Sequence, residues 1–554
     1  MLRSRSGVAN AAGVLAGLVA IVICLVAVPG RSHDPCHGTQ LNVLSSVEPG
    51  KYRTDPLHPG VIQEVAETFG GCIRVDGLTS GTAESSLEKG WAQSGSSDPH
   101  DVWLPSDSLW LNLLNTRLPA AHRAENLGSI ASSTMVIAVT KSKAAALGWT
   151  AANPPGWAQI RLAARSGQLG LIKENARNST SGALATLLAF RAGAGAIPLT
   201  PVQVDSGPAE SFAADIEQAV TWYPDEIVGY LGKLAAATDR QPLLHGADAI
   251  ILQQALFEQY PGLPTLLTEL PIKGETSLAD QPFVLRPDAT PHVRELAAAF
   301  RTRLLAARKS FAAEKFGPPV WAANSNDSFR SGPVVGAVLD KWSNQLRRRV
   351  RMELLLDESG SLTKAGYNAM KKALGAALDR LSVTDHVSIV GFPDSGGGYI
   401  DPLSGQDPKT GEPLSWTPPQ LAGRLDAIGT KLAVNRTESP IVEAVSEASQ
   451  QLARQSNDAN NPEVRAIVVL TDGKENSPSS QGRLKEILAD LPNESSNLHI
   501  YVVPIGQPQP GNVLQRLAIG GHLLCVDNRP ECKGNFNVDF DAVFRNIVLE
   551  LGAK

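Results

Sequence analysis

The C-terminal part of the chain alternates short apolar runs with helix-like stretches, and this alternation restricts the possible folds more than any other feature. The apolar runs lie at 352–356, 387–392, 464–471 and 499–506. Helical patterns lie at about 363–381, from about 418, up to about 453 and near 482–491. Because parallel strands need crossover connections, this order predicts an α/β fold with a largely parallel sheet covered by helices.

Oxygen-bearing side chains stand where these predicted strands end or helices begin. Asp357 follows the first run, and Ser359 and Ser361 alternate with it on the turn that leaves the strand. Thr437 precedes a predicted helix, and Asp472 directly follows the third run. In open α/β sheets, ligands bind outside the carboxyl ends of the strands, so we expect these five side chains to lie close together.

The chemistry of this set suits a divalent cation and not a catalytic triad. Mg²⁺ takes six oxygen ligands, keeps several waters and is usually held by one or two carboxylates. Two carboxylates and three neutral hydroxyls leave such an ion much of its electrophilicity and at least one exchangeable position. The set therefore predicts a metal site at which a carboxylate of another molecule completes the coordination shell.

The pieces DESGS, NRTESP and LTDG resemble the metal-ion-dependent adhesion site (MIDAS) of von Willebrand factor A-type (VWA) domains. The family pattern is D-x-S-x-S, then a Thr, then an Asp in a T-D-G-like turn, and the resemblance covers about residues 345–554. It implies a Rossmann-like domain in which Asp357, Ser359, Ser361, Thr437 and Asp472 surround Mg²⁺ or Mn²⁺, some of them through water. The residues before Thr437 lack the glycines usual in the family.

The N-terminus carries either an export signal or a membrane anchor. Arg3 and Arg5 precede an uncharged apolar stretch at 11–28. This stretch of 18 residues is short for spanning a bilayer, whereas cleaved signals usually have a shorter apolar region. We expect an uncleaved anchor within residues 1–30, a single pass through the cell membrane, and domains outside the cell. Secretion after signal cleavage is the alternative.

Cysteine usage agrees with export. Apart from Cys24, the cysteines form two pairs in separate regions of the sequence, and we expect the disulfides Cys36–Cys72 and Cys525–Cys532. The sequence has no C-x-x-C motif or Cys/His cluster of the kind that binds zinc.

Length and charge limit the remaining possibilities. A chain of 554 residues suggests two or three domains, and a net charge of −5 gives no electrostatic case for nucleic-acid binding. The dense basic run at 347–351 is interpreted as part of a solvated connector. We expect a first domain at 38–325, a linker at 326–349 and the VWA-like domain at 350–554.

The region 38–325 is predicted to be a second α/β unit. LNVLSS predicts a strand, a helix follows near 61–69, and CIRVDGLTSG predicts a strand and a turn. DVWLPSD and MVIAVT continue the pattern, and the turn RNSTSG opens a helix at Ser181 or Gly182, where free backbone N–H groups suit an anion. The arrangement resembles the two-lobed extracellular solute-binding proteins that serve ABC transporters.

This second resemblance implies a solute bound between the two lobes. Its expected contacts are hydroxyl and carboxylate side chains, namely Ser45, Ser46, Thr79, Ser80, Ser106, Asp107, Thr180 and Ser181. Each of these residues alone is also common in turns and helix caps.

Together these features predict an exported, membrane-anchored, non-enzymatic binding protein whose metal bridges to a carboxylate of a partner protein. The alternative is a receptor that delivers a small solute or anion to an ABC-type permease, with the VWA domain as a docking module. A hydrolase is disfavoured, because the sequence lacks G-x-S-x-G.

Overall fold

Within the residues that the structure describes, the chain forms three β-sheets with helices packed on them. The computed structural model describes residues 40–46, 60–91, 99–195, 199–224, 227–238, 240, 244, 246–274, 278–320, 328–358, 368, 371, 374–375, 378, 381, 384–391, 403–406, 408, 413–431, 440–454, 463–471, 498–504, 522–523 and 547.

The strands and helices have the following bounds. The strands are β1 Leu41–Ser46, β2 Ile73–Leu78, β3 Val102–Leu104, β4 Glu125–Ser129, β5 Ser133–Thr140, β6 Leu171–Lys173, β7 Val220–Trp222, β8 Ala249–Gln253, β9 Leu267–Pro271, β10 Leu278–Ala279, β11 Pro282–Leu285, β12 Val350–Leu356, β13 His386–Gly391, β14 Val464–Thr471, β15 Leu498–Pro504 and β16 His522–Leu523. The α-helices are α1 Val61–Glu67, α2 Ser80–Glu88, α3 Ser108–Arg117, α4 Lys141–Leu147, α5 Trp157–Arg165, α6 Thr180–Ala194, α7 Pro201–Val204, α8 Gly207–Glu217, α9 Ile227–Ala236, α10 Gln254–Glu258, α11 Pro291–Ala306, α12 Arg308–Ala313, α13 Gly332–Lys341, α14 Pro418–Ala422, α15 Leu425–Lys431 and α16 Ile441–Arg454.

The first two sheets define two lobes. Lobe 1 contains the sheet β2-β1-β3-β11-β4, in which β11 runs antiparallel to its neighbours β3 and β4. Lobe 2 contains the sheet β10-β5-β8-β6-β7, with β9 also paired to β5. The chain passes between the lobes after β4 and again after β10, and the N–H of Ile130 donates to Gln281 O at 3.0 Å where these passages meet. The predicted two-lobed α/β architecture agrees with this topology.

The two lobes share one hydrophobic core. In lobe 1, Leu44 and Trp103 face this core, and in lobe 2, Met135 and Ile251 do so. The opposite faces of the two sheets pack in separate clusters. Alternation of side chains along each strand therefore gives each of these two sheets one face that contributes to the shared core.

The third sheet is entirely parallel, as predicted, with the order β13-β12-β14-β15-β16. Helix α16 covers one face, and Leu374, Leu378 and Leu381, from the segment predicted to be helical, are buried on the other. Both faces are covered, which explains why β12 and β14 are nearly continuous apolar runs. The predicted helix near 482–491 lies outside the described residues.

Residues 332–346 do not form a free linker. Helix α13 and the π-helical turn Trp342–Leu346 that follows it belong to the N-terminal unit, because Val334, Val338 and Trp342 are buried in the core shared by the two lobes. The apolar face of this helix is covered by the two lobes.

The basic run at 347–351 is also more buried than the sequence suggested. The Arg347 guanidinium forms an ion pair with Asp385, and these side chains are 2% and 0% exposed. Asp385 Oδ1 also accepts a hydrogen bond from the N–H of Val350 at 2.7 Å. Arg351 pairs with Glu463 at 2.7 Å. The interpretation as a solvated connector is therefore corrected: two of these arginines attach the start of β12 to its surroundings.

The predicted anchor at 11–28 lies outside the described residues. Among the helices that the structure describes, none is long and apolar enough to cross a membrane. Cys72 is disulfide-bonded. The other four cysteines lie outside the described residues, so the pairings Cys36–Cys72 and Cys525–Cys532 stay predictions.

We expect Asp385→Asn to destabilise the C-terminal unit by about 3–5 kcal/mol, because it leaves the buried Arg347 guanidinium without its counter-charge. Urea unfolding of the purified chain, followed by circular dichroism, measures the effect. The matched control is Asp426→Asn, since Asp426 pairs with Lys371 but is 91% exposed. It should change the free energy of unfolding by less than about 1 kcal/mol. Equal unfolding curves for the two variants would contradict a structural role for the buried pair.

Candidate functional site

The candidate metal site lies at the carboxyl ends of β12 and β14. The chain forms β12, adds β13 on one side of it and then β14 on the other, so the strand order reverses between β12 and β14. Such a switch point leaves a crevice at the carboxyl edge of the sheet, where ligands bind. Asp357 directly follows β12, and Thr471 is the last residue of β14.

Two hydrogen bonds fix Asp357 to the end of β14. Its N–H donates to Leu470 O at 2.9 Å, and its Oδ2 accepts from Thr471 Oγ1 at 2.6 Å. Asp357 is 1% exposed and Thr471 is 0% exposed. The threonine hydroxyl thereby orients the carboxylate, as hydrogen-bonding neighbours do for metal-binding carboxylates. Thr471 was not among the residues predicted from the sequence, although its place directly before Asp472 was an available signal.

Glu358 adds a second buried carboxyl group next to Asp357. Its side chain lies against Gly391, the last residue of β13, and is fully buried. A Cβ at position 391 would lie 2.6 Å from Glu358 Cδ, which is too close for any side chain larger than that of glycine. The position of Glu358 therefore depends on a glycine at the end of the neighbouring strand.

The structure describes only one of the five predicted metal ligands, Asp357. The other four, Ser359, Ser361, Thr437 and Asp472, lie outside the described residues, and their role stays a prediction. Within the described part of the chain, no group of three or more His, Cys, Asp or Glu side chains is placed to hold a metal ion. The predicted set of two aspartates and three hydroxyls does not require such a group. A buried carboxylate oriented by a hydroxyl fits one ligand of this set.

Three of the predicted solute contacts lie together at the carboxyl edge of the lobe 1 sheet. Ser106 Oγ donates to Ser46 Oγ at 2.8 Å, and the N–H of Ser106 donates to Ser80 Oγ at 3.0 Å. All three side chains are at most 1% exposed. The chain folds them into one small network of hydroxyl groups.

Ser45 and Thr79 make local hydrogen bonds. Ser45 Oγ donates to the carbonyl oxygen of Ser46 at 3.2 Å. Thr79 Oγ1 donates to Thr82 Oγ1 at 2.7 Å across the first turn of α2. In the structure, both hydroxyls therefore stabilise a strand end or a helix start.

Asp107 is both a helix cap and an ion-pair partner. Its Oδ1 accepts a hydrogen bond from the N–H of Leu109 at 2.8 Å, which caps α3. Its Oδ2 lies 3.0 Å from Arg330 Nη2. Burial raises the pKa of Asp107, and the Arg330 guanidinium opposes that rise. Both carboxylate oxygens of Asp107 therefore have partners within the protein.

Thr180 and Ser181 begin helix α6 in lobe 2. Trp110 Nε1, from lobe 1, donates to Thr180 Oγ1 at 2.8 Å. The N–H of Ser181 donates to Ser179 Oγ, the N-cap of α6, at 3.2 Å. The lobes therefore touch directly at the predicted solute contacts, and the role of these residues towards a solute stays a prediction.

A second direct contact joins the start of α2 to lobe 2. The N–H of Gly81 donates to Asn178 O at 2.8 Å, and a Cβ at position 81 would overlap the carbonyl oxygen of Arg177. In the next turn of α2, Glu84 Oε1 lies 3.2 Å from Arg117 Nη1. Burial raises the pKa of Glu84 to about 7, although Arg117 and Arg177 oppose the rise.

Comparison with protein families finds a match in the C-terminal unit. Residues 352–531 match the model of the von Willebrand factor type A domain. The match includes the end of β12 and Asp357, which directly follows it. It supports a binding role for the protein. No curated protein of similar sequence matches the chain.

Comparison with solved structures finds similar chains for both parts of the protein. The sulfate-binding protein SubI from Mycobacterium tuberculosis H37Rv has 15% identity and a TM-score of 0.36, covering 52% of this chain and 91% of its own. The periplasmic binding protein P5PA has 13% identity and a TM-score of 0.39, covering 56% and 100%. A von Willebrand factor type A structure from Catenulispora acidiphila has 17% identity and a TM-score of 0.27, covering 37% and 43%. No functional inference rests on these similarities.

The raised pKa of Glu84 predicts a pH dependence of stability. Between its ordinary pKa of 4.5 and about 7, the folded protein binds a proton that the unfolded chain releases, so stability falls as pH rises through this window. Glu84→Gln cannot titrate, so its stability relative to the wild type should increase from pH 4.5 to 7. One pKa unit corresponds to about 1.4 kcal/mol, so this shift corresponds to roughly 3 kcal/mol.

Urea unfolding at pH 5 and pH 7.5, followed by tryptophan fluorescence, tests this prediction. Glu88→Gln is the matched control, because Glu88 also bonds Arg117 but its side chain is 41% exposed. This control should keep most of the pH dependence of the wild type. A Glu84→Gln variant with the same pH dependence as the wild type would contradict the raised pKa.

Proposed function

Because residues 352–531 match the von Willebrand factor type A family, we propose that this chain is a divalent-metal-dependent binding protein that captures a carboxylate of a partner protein. The observation that carries the proposal is the buried carboxylate of Asp357, oriented by Thr471 at the strand switch point. Open α/β sheets bind ligands at this edge, and the sequence predicts the oxygen ligands of the metal here.

The residues of the site have two roles, which are to bind the metal ion and to orient a metal-binding side chain. Asp357 supplies an anionic oxygen, and Thr471 holds that carboxylate in one orientation. Ser359, Ser361, Thr437 and Asp472 complete the set predicted from the sequence. When bound, Mg²⁺ or Mn²⁺ supplies an exchangeable position for an Asp or Glu oxygen of the partner. No residue is assigned as a nucleophile or general base. The proposed function is binding without catalysis.

We place the two units outside the cell, displayed by an uncleaved N-terminal anchor. The apolar stretch at 11–28 behind Arg3 and Arg5 supports this location. The disulfide of Cys72 also supports it, since disulfides persist mainly in oxidising compartments. Secretion after cleavage predicts the same fold without the anchor, and mass spectrometry of the mature N-terminus distinguishes the two.

A second candidate function is a receptor for a small anion or other solute in an ABC-type uptake system. It is favoured by the hydroxyls of Ser108 and Ser181, which are buried in the first turns of α3 and α6 and have no hydrogen-bond partner among the described residues. Buried polar groups of this kind are commonly satisfied by water or a ligand.

If this second function holds, sulfate or phosphate should raise the melting temperature of the purified chain, and this rise should be lost in Ser181→Ala.

Calorimetric titration of the purified chain tests the proposed metal site. We expect saturable binding of Mg²⁺ or Mn²⁺, weakened by more than about 100-fold in Asp357→Ala, because a direct ligand contributes more than the 10–100-fold typical of orienting groups. Asp426→Ala removes a 91% exposed carboxylate from the same unit and should bind the ion as the wild type does. Binding that is unaffected by Asp357→Ala would contradict the site.

A second titration tests the orienting role of Thr471. Thr471→Val has nearly the same shape but no hydroxyl, so Asp357 loses its hydrogen-bond donor and metal affinity should fall by about 10–100-fold. Thr471→Ser keeps the hydroxyl and is the matched control, with affinity close to the wild type. Equal affinities for the valine and serine variants would remove Thr471 from the proposed mechanism.

A further inference from the structure

One continuous segment, residues 328–346, contacts both lobes of the N-terminal unit. We call it the strap, and it consists of a short helical turn at Ser328–Arg330, helix α13 and the π-helical turn Trp342–Leu346. Helix α13 packs against α3 of lobe 1 and against α6 and α7 of lobe 2. Its apolar residues enter the core shared by the two lobes.

The start of the strap is attached to lobe 1 by a buried ion pair. Arg330 and Asp107 are 3.0 Å apart, and their side chains are 4% and 0% exposed. The carbonyl oxygen of Arg330 accepts a hydrogen bond from Asn112 Nδ2 at 3.0 Å. Gly332 is the first residue of α13, and a Cβ at this position would overlap Thr116 Oγ1 and Asn112 O. The strap backbone therefore lies directly on α3.

The end of the strap is attached to a buried polar cluster in lobe 2. Trp342 Nε1 donates to Glu217 Oε2 at 3.0 Å. Glu217 forms an ion pair with Lys173 at 2.6 Å and accepts a hydrogen bond from the hydroxyl of Tyr223 at 2.7 Å. The Lys173 ammonium also lies 5.0 Å from the centre of the Trp342 ring, within cation–π range. Removing Trp342 from this cluster would leave a buried carboxylate with one donor fewer.

A second lobe 2 residue, Arg177, holds the same end of the strap. Arg177 Nε donates to Ser343 Oγ at 2.9 Å, and its guanidinium forms an ion pair with Asp340. Arg177 lies in the turn whose Arg177 and Asn178 carbonyl groups contact the start of α2 in lobe 1. The strap and the direct lobe contact therefore share one turn.

The strap ends at Leu346, and the first strand of the C-terminal sheet begins at Val350. The N–H of Arg347 donates to Trp342 O at 3.0 Å. The Arg347 guanidinium pairs with Asp385, and the same carboxyl group accepts the N–H of Val350, the first residue of β12. Between Trp342 and β12, the chain is therefore held by polar contacts at Arg347 and at Val350.

We propose that the strap fastens the two lobes together and couples their separation to the start of β12. A helix does not stretch, so separating the lobes must break the attachment of the strap at Asp107 or at Glu217 and Arg177. Release of the lobe 2 end also frees the residues that lead to Arg347. The strap is thus a conformational link between the two-lobed unit and the sheet that carries Asp357, and it does not depend on a bound metal.

Hydrogen–deuterium exchange of the full chain, with EDTA present, tests the link. The variant Trp342→Phe combined with Ser343→Ala keeps most of the packing. It removes three hydrogen bonds: Trp342 to Glu217, Arg177 to Ser343, and Ser343 to the Leu339 carbonyl oxygen within the strap. The N–H of Gly81 reports the lobe contact, and the N–H of Val350 reports the start of β12. Both amides should exchange at least about tenfold faster in the double variant, because the free energy of local opening at each site falls. Trp157→Phe is the matched control. Trp157 is buried in the same core, but within the described part of the chain its Nε1 makes no hydrogen bond.

The proposal is overturned if faster exchange in the double variant is confined to residues 332–346 while the amides of Gly81 and Val350 exchange as in the wild type. It is also overturned if Trp157→Phe accelerates both amides equally, since general loosening of the core would then explain the effect. If the double variant does not fold, Ser343→Ala alone is measured with the same two amides. Faster exchange of both supports the link, and unchanged exchange of both overturns it.

Discussion

Parallel pairing of β12 with β13 and β14 is the constraint on which the candidate metal site depends. The register places Leu356 beside both Gly391 and Leu470, so three strands reach their carboxyl ends at the same level. Asp357 is the next residue along, and it meets Thr471 there. Because both faces of the sheet are buried, a slip of one residue would exchange the two sets of core side chains and is strongly disfavoured. Core packing therefore positions the carboxylate.

Buried charges perform a different task in the N-terminal unit and at its junction. The pairs Asp107–Arg330, Lys173–Glu217 and Arg347–Asp385 each cost desolvation free energy, and a buried ion pair is weak evidence for stability by itself. Each pair needs one partner in one geometry, however, whereas apolar side chains pack against many surfaces. We interpret Asp107–Arg330 and Arg347–Asp385 as determinants of which surfaces meet: the strap with lobe 1, and its end with the C-terminal sheet. Lys173–Glu217 lies within lobe 2, where Glu217 accepts the hydrogen bond of Trp342 from the strap.

Much of the C-terminal fold could be predicted because its signals are local. The run 464–471 is β14 without any shift, and the run 387–392 differs from β13 by one residue at each end. The apolar character of such runs reflects burial on both faces and needs no knowledge of distant partners. The basic run at 347–351 was misjudged for the opposite reason. Its charge suggested solvent, but Arg347 meets a carboxylate 38 residues away that sequence reasoning did not pair with it.

The sequence by itself determined the order of strands and helices, the parallel sheet and the oxygen-bearing residue Asp357 at the end of its first strand. Only the tertiary structure decided that Thr471 orients this carboxylate, that Glu358 lies against Gly391, and that the segment predicted as a linker joins the two lobes. Periodicity and turn chemistry act over a few residues, so a sequence displays them directly. The burial of a charge or of a helix face depends on surfaces that come together only when distant parts of the chain pack.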